Sequence, residues 1–369
     1  MNSKDIIVSI GLILFQFVLI IISIISVLEI VMDITQKEIA EKAGVSRASV
    51  SRLVTGSAPV NKRTAKKIRL AAEELGAKEI LPADIAPNFI LKKNIMIIVG
   101  DVSNEFYSQI VKGCCNTLEQ NGCYAIVCNS GYDVKKEKEF IRNAVSDGMG
   151  GIILITAIQD NELGKMLENI SIPIVLTNRY IRSAGTNMVC IDNYNGGYSA
   201  TQHLIYNGHK RILFLGGFNH STAVQDRYRG YADAVSDSSA GIDRRLVRFS
   251  DQTIEDGQKI IEDVLSESLQ FTAVFSCGCQ LALGAVKALK TNGFSIPKDM
   301  SFICFDDSPL IGEFGLNLST VCCDPVLLGE ESVNMLLKNI HGKTKDNSIL
   351  LLSPGFIDRG SVRRIKSLI

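Results

Sequence analysis

From Asn94 onward, short aliphatic runs alternate with longer amphipathic stretches, and no other feature of this chain constrains its fold as strongly. The runs are Ile95–Val99, Cys123–Cys128, Gly151–Ile155, Ile174–Leu176, Met188–Ile191, Ile212–Leu215, Leu246–Phe249, Ala273–Phe275 and Phe302–Phe305. Continuous apolar runs of this length, without polar alternation, read as strands buried on both faces, as in a parallel sheet. The stretches between them, among them Phe106–Asn121, Lys135–Asp147, Tyr198–Asn207, Gln225–Ser236, Glu255–Ser266 and Gln280–Asn292, carry helical periodicity. The alternation predicts a parallel α/β core, and residues 94–369 are long enough for two lobes at roughly 100–200 residues each.

The first 31 residues obey another rule. Ile6 to Leu28 contains no charge, which at 1.5 Å per residue gives about 35 Å of helix, enough to span a bilayer core of about 30 Å. Lys37, Lys42 and Arg47 follow it, so such an anchor leaves the rest of the chain on the cytoplasmic side. Met32-Asp33-Ile34-Thr35 also reads as a fresh start of a soluble protein. Two readings stand: a transmembrane helix over 6–28, or translation beginning at Met32.

Residues 32–78 form a third compositional unit. They hold ten Lys/Arg against five Asp/Glu in a chain whose overall charge is zero, 39 against 39. A local basic excess of this kind marks a phosphate-facing module. Thr35-Gln36-Lys37-Glu38 is a capping box, Ile39, Ala40 and Ala43 give one apolar face, and Gly44 suits the turn that ends the helix. Ser46 caps a second short helix, with Val50 and Leu53 turned inward. Asn61 opens a third, in which Ala65, Ile68, Leu70, Ala71, Ala72 and Leu75 are available for burial. Two short helices around a tight Gly turn, followed by a third, make a helix-turn-helix pattern.

The stretch ITQKEIAEKAGVSRASVSRLVTGSAPVNKRTAKKIRLAAEELG resembles the DNA-binding headpiece of the LacI-type (lac repressor/GalR) transcription regulators. The resemblance implies that the helix 46–54 lies in the major groove. Arg47 and Ala48 fall where the family reads bases, and Ser46, Ser49, Ser51 and Arg52 where it holds phosphates or base edges. Chemically, Arg47 suits a bidentate grip on guanine or a phosphate contact, and Ala48 suits a thymine methyl. Thr35, Asn61 and Thr64 sit at helix termini suited to clamping phosphates. Leu28 to Thr35 spans at most about 24 Å when extended, so a bilayer anchor would press operator DNA against the membrane, which favours the start at Met32.

Residues 79–93 form a linker. The family's hinge helix is interrupted here by Pro82 and Pro87, and Asp84 is unfavourable beside phosphate. Leu81, Ile85 and Leu91 are the candidates for a minor-groove wedge.

Beyond Asn94 the resemblance continues through DVSNEFYSQIVKG, IPIVLTNR, VCIDNYNGGYSATQHLIYNGHKRILFLGG, RYRGYADAV, LALGAVKALKTNGFSIPKDMSFICFDD and DRGSV. It implies a periplasmic-binding-protein-like pair of lobes closing on a small effector, lobe one being 94–192 with 323–342 and lobe two 193–322 with the tail. By position, the implied effector contacts are Asn104, Phe106, Tyr107, Asn178, Arg179 and Asp192 on lobe one, and Arg227, Phe275 and Asp306 on lobe two. Such positions at strand C-termini are where open α/β sheets bind ligands. Phe106 read as core, Asp192 as a bridge between lobes and Asp306 as a strand end are the blander alternatives. Many sugar-responsive members carry Asn-Asp where this chain has Gly278-Cys279. A sugar remains the expected effector, with a nucleobase or another polar metabolite open.

Other classes lose ground. The ten cysteines lack C-x-x-C spacing and read as reduced, small core residues of a cytoplasmic protein. No P-loop, HExxH motif, Ser-His-Asp set or zinc-cysteine set stands out, so neither enzyme chemistry, cofactor nor metal is expected. The expected protein is a homodimeric, sequence-specific transcriptional regulator, a repressor, binding double-stranded operator DNA and a small polar effector. The rival from another class is a membrane-tethered or exported solute-binding receptor.

Overall fold

The computed structural model describes residues 36–55, 60–77, 81, 94–238, 241–312, 315–341 and 347–365. They fall into two compact units, the helical residues up to 81 and the α/β residues from 94. The apolar run 6–28, Thr35, Ile85 and Leu91 lie outside the described residues. Among those described, no helix is long and apolar enough to cross a membrane.

The first unit contains α1 (36–43), α2 (Arg47–Thr55) and α3 (Lys62–Glu74). Gly44 has φ +64°, the left-handed turn that a Cβ would strain, and the Val45 N–H closes the helix end on the Ala40 carbonyl. Ile39, Ala40, Ala43, Val50, Ile68, Ala71 and Ala72 bury together, with Leu53 packed against them. Leu70 and Leu75, expected inside, are 51% and 41% exposed. Both fall off the stripe set by Ile68, Ala71 and Ala72, since residues two apart on a helix face different ways. Leu81 is only 6% exposed and belongs to this small core, so it is not presented as a minor-groove wedge.

The second unit is two six-stranded sheets. One has the order β11-β5-β4-β3-β1-β2, built from β1 (Asn94–Val99), β2 (Tyr124–Asn129), β3 (Gly151–Leu154), β4 (Ile174–Thr177), β5 (Asn187–Ile191) and β11 (Ile349–Leu352). The other has the order β12-β10-β9-β8-β6-β7, built from β6 (Ile212–Gly216), β7 (Val247–Phe249), β8 (Ala273–Ser276), β9 (Ser301–Phe305), β10 (Ser319–Cys322) and β12 (Gly355–Ile357). All nine expected strands are present, and every pairing is parallel except β10 with β12. The chain therefore crosses between lobes three times, after β5, after β10 and after β11. The third crossing adds 349–352 to the expected lobe one.

Helices α4 (Glu105–Gln120), α5 (Val134–Ser146), α6 (Asn161–Glu168) and α11 (Pro325–His341) cover the first sheet. Helices α7 (Asn193–Tyr206), α8 (Thr222–Asp237), α9 (Ile254–Ser266) and α10 (Cys279–Thr291) cover the second. Three helix pairs touch backbone to backbone through reciprocal glycines. A Cβ on Gly113 would overlap the Val326 carbonyl and one on Gly329 the Ile110 carbonyl, joining α4 to α11. Gly197 and Gly230 do the same for α7 and α8, and Gly257 and Gly284 for α9 and α10. All ten cysteines are free thiols, four of them buried.

Because the listener at each of these contacts is backbone rather than a movable side-chain end, a methyl group forces the helices apart. Gly329→Ala is expected to destabilise the α/β unit by about 1–3 kcal/mol, the usual cost of overpacking, read as a lower midpoint in urea.

Candidate functional site: a headpiece helix and an interlobe cleft

In the first unit, α2 turns its inward face to the core through Val50 and leaves Ser46, Arg47, Ala48 and Arg52 exposed. Ser49 and Ser51 are half-buried. The Ser46 hydroxyl accepts the Ser49 N–H at 3.3 Å and pairs with the Ser49 hydroxyl at 2.9 Å, so it serves as the cap of the helix that carries Arg47. Asn61 caps α3 by accepting the Arg63 N–H at 2.9 Å, and Thr64 lies half-buried in its first turn. The caps orient the first turns of α2 and α3 outward, with their unpaired N–H groups facing solvent.

In the second unit, the strand C-termini of both sheets face a common cleft. Asn178 follows β4 and Asp306 follows β9, and both adopt left-handed backbone, φ +66° and +70°. Each N–H bonds across to the neighbouring strand, Asn178 to the Val189 carbonyl at 2.9 Å and Asp306 to the Val321 carbonyl at 2.8 Å. Asn and Asp tolerate this conformation better than other residues with a Cβ, which explains their place at equivalent turns.

A cavity holding about 640 Å³ of empty space lies here, lined by Asn104, Phe106 and Tyr107 from one lobe and Asp306 from the other. These four expected residues are thus brought together. Asn104 caps α4, its Oδ1 accepting the Phe106 N–H at 3.1 Å, which leaves its amide N–H groups for the cavity. Phe106 is half-buried and packs edge-on against Tyr107 at 5.9 Å.

Arg227 and Arg179 stand one layer behind the cavity wall. Arg227 is 3% exposed. Its Nε donates to Asn193 Oδ1 at 2.8 Å, its Nη1 to the Cys277 carbonyl at 2.8 Å, and its Nη2 meets Asp306 Oδ1 at 3.3 Å. The guanidinium also lies 3.5 Å above the Phe305 ring. Burial pushes the Asp306 carboxyl above its usual range, and the neighbouring Arg227 charge pulls it back. Arg179, also 3% exposed, donates from Nη2 to the Tyr107 hydroxyl at 2.8 Å and sits 5.6–5.9 Å from the rings of Tyr107, Tyr132 and Phe218.

Two expectations are corrected. Phe275 is fully buried, edge-on to Phe214 at 5.6 Å, because its position on β8 points into the core and not along the strand axis to the cleft. Asp192 does not line the cavity: it caps α7, accepting the Asn195 N–H at 3.0 Å, while its own N–H bonds to the Leu352 carbonyl. The blander reading of Asp192, a residue seated between the lobes, fits the structure.

Several residues that the sequence reading passed over belong to the site. Gln252 and Cys279 line the cavity, and Asp307, which also lines it, is clamped by Arg359 at 2.8 and 2.9 Å. Tyr132 and Phe218 meet across the cleft, ring centroids 4.7 Å apart. All but Arg359 follow the ends of strands, a signal that could have marked them before any coordinates existed. Behind Tyr132, Ser130, Glu137 and Thr156 are buried with side-chain oxygens unpartnered among the described residues.

The two units correspond to two family models: the bacterial regulatory proteins of the lacI family over residues 35–76, and the periplasmic binding protein-like domain over 201–362. The HTH-type transcriptional regulator RegA of Clostridium saccharobutylicum is 30% identical over 333 residues, which cover 88% of this chain and 98% of that protein. The ribose operon repressor of Haemophilus influenzae is 28% identical over 335 residues, 90% of this chain and 99% of the relative. Among solved structures, a CelR–cellobiose complex matches with a TM-score of 0.68 at 26% identity, over 88% of this chain and 99% of that one. A ribose-bound regulator from Enterococcus faecium matches with a TM-score of 0.66 at 26% identity, over 74% of this chain and 100% of that one. A helix-turn-helix unit joined to a two-lobed binding core defines a ligand-responsive, DNA-binding transcription regulator. This chain belongs to the LacI family. The membrane partner considered as one reading of 6–28 finds no support in the described helices or in the matched relatives.

The buried Glu137 yields a pH test. Burial lifts its carboxyl from the ordinary 4.5 to about 7, while the Ile158 N–H and Arg179 pull the other way. The folded chain therefore binds more protons than the unfolded chain between these values, so stability present below pH 4.5 is lost as pH rises through about 7. Glu137→Gln is expected to unfold at a higher temperature than the parent at pH 8, with the gap closing toward pH 5, followed by calorimetry.

Proposed function

We propose that this protein is a sequence-specific transcriptional repressor whose operator affinity is set by a small polar effector, a sugar, bound between its two lobes. The single observation that carries the reading is the exposed row Ser46, Arg47, Ala48 and Arg52 on a capped helix whose other face is buried. Arg47 and Ala48 read base edges, and Ser46, Ser49, Ser51 and Arg52 fix the helix on phosphates and base edges. Thr35, Asn61 and Thr64 anchor the flanking helix ends to the backbone of the duplex. The protein acts in the cytoplasm as a homodimer, its two recognition helices meeting half-sites about one helical turn apart.

The effector enters against Asn104, Phe106, Tyr107 and Asp306, with Asn178, Arg179 and Arg227 behind them. Supporting this are the cavity between strand C-termini and the ribose and cellobiose in the titles of the two structural relatives. Arg227 acts through Asp306 and also holds the core, so Arg227→Ala removes the counter-charge of a buried carboxylate and is a poor probe of effector binding alone. Regulation needs an effector that binds the two lobe arrangements with different affinity.

The test is operator binding by the full chain to its own upstream DNA at two salt concentrations. Affinity at least about 10³ above random DNA and falling steeply with salt is the expected outcome. Arg52→Ala is expected to weaken operator binding by about 1–3 kcal/mol without lowering the unfolding midpoint. Binding no tighter than to random DNA overturns the proposal.

A further inference from the structure

The cleft contains a side chain held in place by two absences. Gln252 follows β7 with φ +67°, a left-handed conformation that no β-carbon-bearing residue adopts without cause. Its carboxamide runs between two glycines. The Oε1 lies 2.7 Å from where a Cβ on Gly217 would be, and the Nε2 fills the space that a Cβ on Gly278 would take. Gly278 itself is extended, φ 175°, so nothing in its backbone requires glycine. The requirement comes from the Gln252 amide beside it. Among the described residues that amide has no hydrogen-bond partner, and Gln252 lines the cavity.

The charges around it narrow the ligand. Asp306 is matched by Arg227 and Asp307 by Arg359. Neutral Asn104, Gln252 and Ser308 remain on the wall, together with the carboxylate of Glu105. A wall of this kind accepts hydrogen bonds and repels anions, while a carboxamide donates and accepts side by side.

We propose that Gln252 is a specificity-determining residue of the cleft, its carboxamide occupying the room left by Gly278 and making lobe two's polar contact to a neutral ligand with adjacent hydroxyl groups. The inference rests on the cleft being the effector site and names the side chain and ligand class by which that site selects. Gly278 and Gln252 then act as one device: a side chain at 278 displaces the amide, and loss of the amide frees room for a side chain at 278.

The experiment titrates the full chain with ribose, galactose, cellobiose and ribose 5-phosphate by calorimetry, alongside operator binding. At least one neutral sugar is expected to bind, and the phosphate ester not. Gln252→Met, which keeps length and removes the amide, is expected to weaken that sugar about tenfold or more, the scale of a lost buried hydrogen bond, with an unchanged unfolding midpoint. Gly278→Asn is expected to weaken binding in the parent but to strengthen it in a Gln252→Ala background, a non-additivity that a purely structural role would not produce. A Gln252→Met protein that binds like the parent, or additive effects in the cycle, overturns the role of Gln252 and leaves the regulator reading standing. Binding of the phosphate ester in preference, or of none of the neutral sugars, overturns the ligand class. Loss of operator recognition by the parent instead overturns the regulator reading, while the sugar titration still decides this one.

Discussion

A guanidinium buried at the carboxyl edge of a parallel sheet must find a counter-charge and acceptors there, because an uncompensated charge in the interior is far costlier than any single packing defect. Arg227 meets that demand with Asp306, Asn193, the Cys277 carbonyl and the face of Phe305. The four partners come from the start of α7 and the ends of β8 and β9. One side chain thus fixes where three elements stop, and in doing so fixes the lobe-two wall of the cavity. The left-handed turn at Asp306 is the local strain this arrangement sustains, and the rigid surroundings hold it.

The rest of the frame has to be equally unyielding for a cleft to report on a ligand. Three helix pairs approach until their backbones touch, through Gly113 and Gly329, Gly197 and Gly230, and Gly257 and Gly284. Close-packed helices transmit small displacements as rigid bodies, because an interior at crystal-like density cannot absorb them. The headpiece is built on a different scale. Its core is small and alanine-rich, drawing on Ile39, Val50 and Ile68 and on Leu81 from the linker. Leu81 therefore ties the start of the linker to the headpiece, a use of an apolar linker residue that differs from insertion into DNA.

Much of this was legible beforehand where a local rule acts alone. Gly44, Ser46 and Asn61 announce turn and caps because their side chains, or lack of one, decide backbone geometry within a few residues. The nine buried strands announced themselves because burial on both faces demands unbroken aliphatic runs. Strands β10, β11 and β12 did not, since the last two are edge strands with exposed residues such as Ile349 and Phe356 and lack that signature. Leu70 and Leu75 show the converse, apolar residues whose position on the helix leaves them outside.

Sequence alone determined the headpiece, the alternating core, the resemblance and four of the residues that meet in the cavity, because patterning and capping are nearest-neighbour physics. It misplaced Phe275, whose aromatic chemistry suits a ligand as well as a core, and only the strand's direction relative to the cleft decides between them. Gln252 and Gly278 were separated by twenty-six positions and carried no shared motif. What joined them was the parallel order β7-β6-β8, which sets the ends of two distant strands in one wall. Which polar groups face a ligand, and which merely hold one another, depends on space shared between elements, and that space exists only in the folded chain.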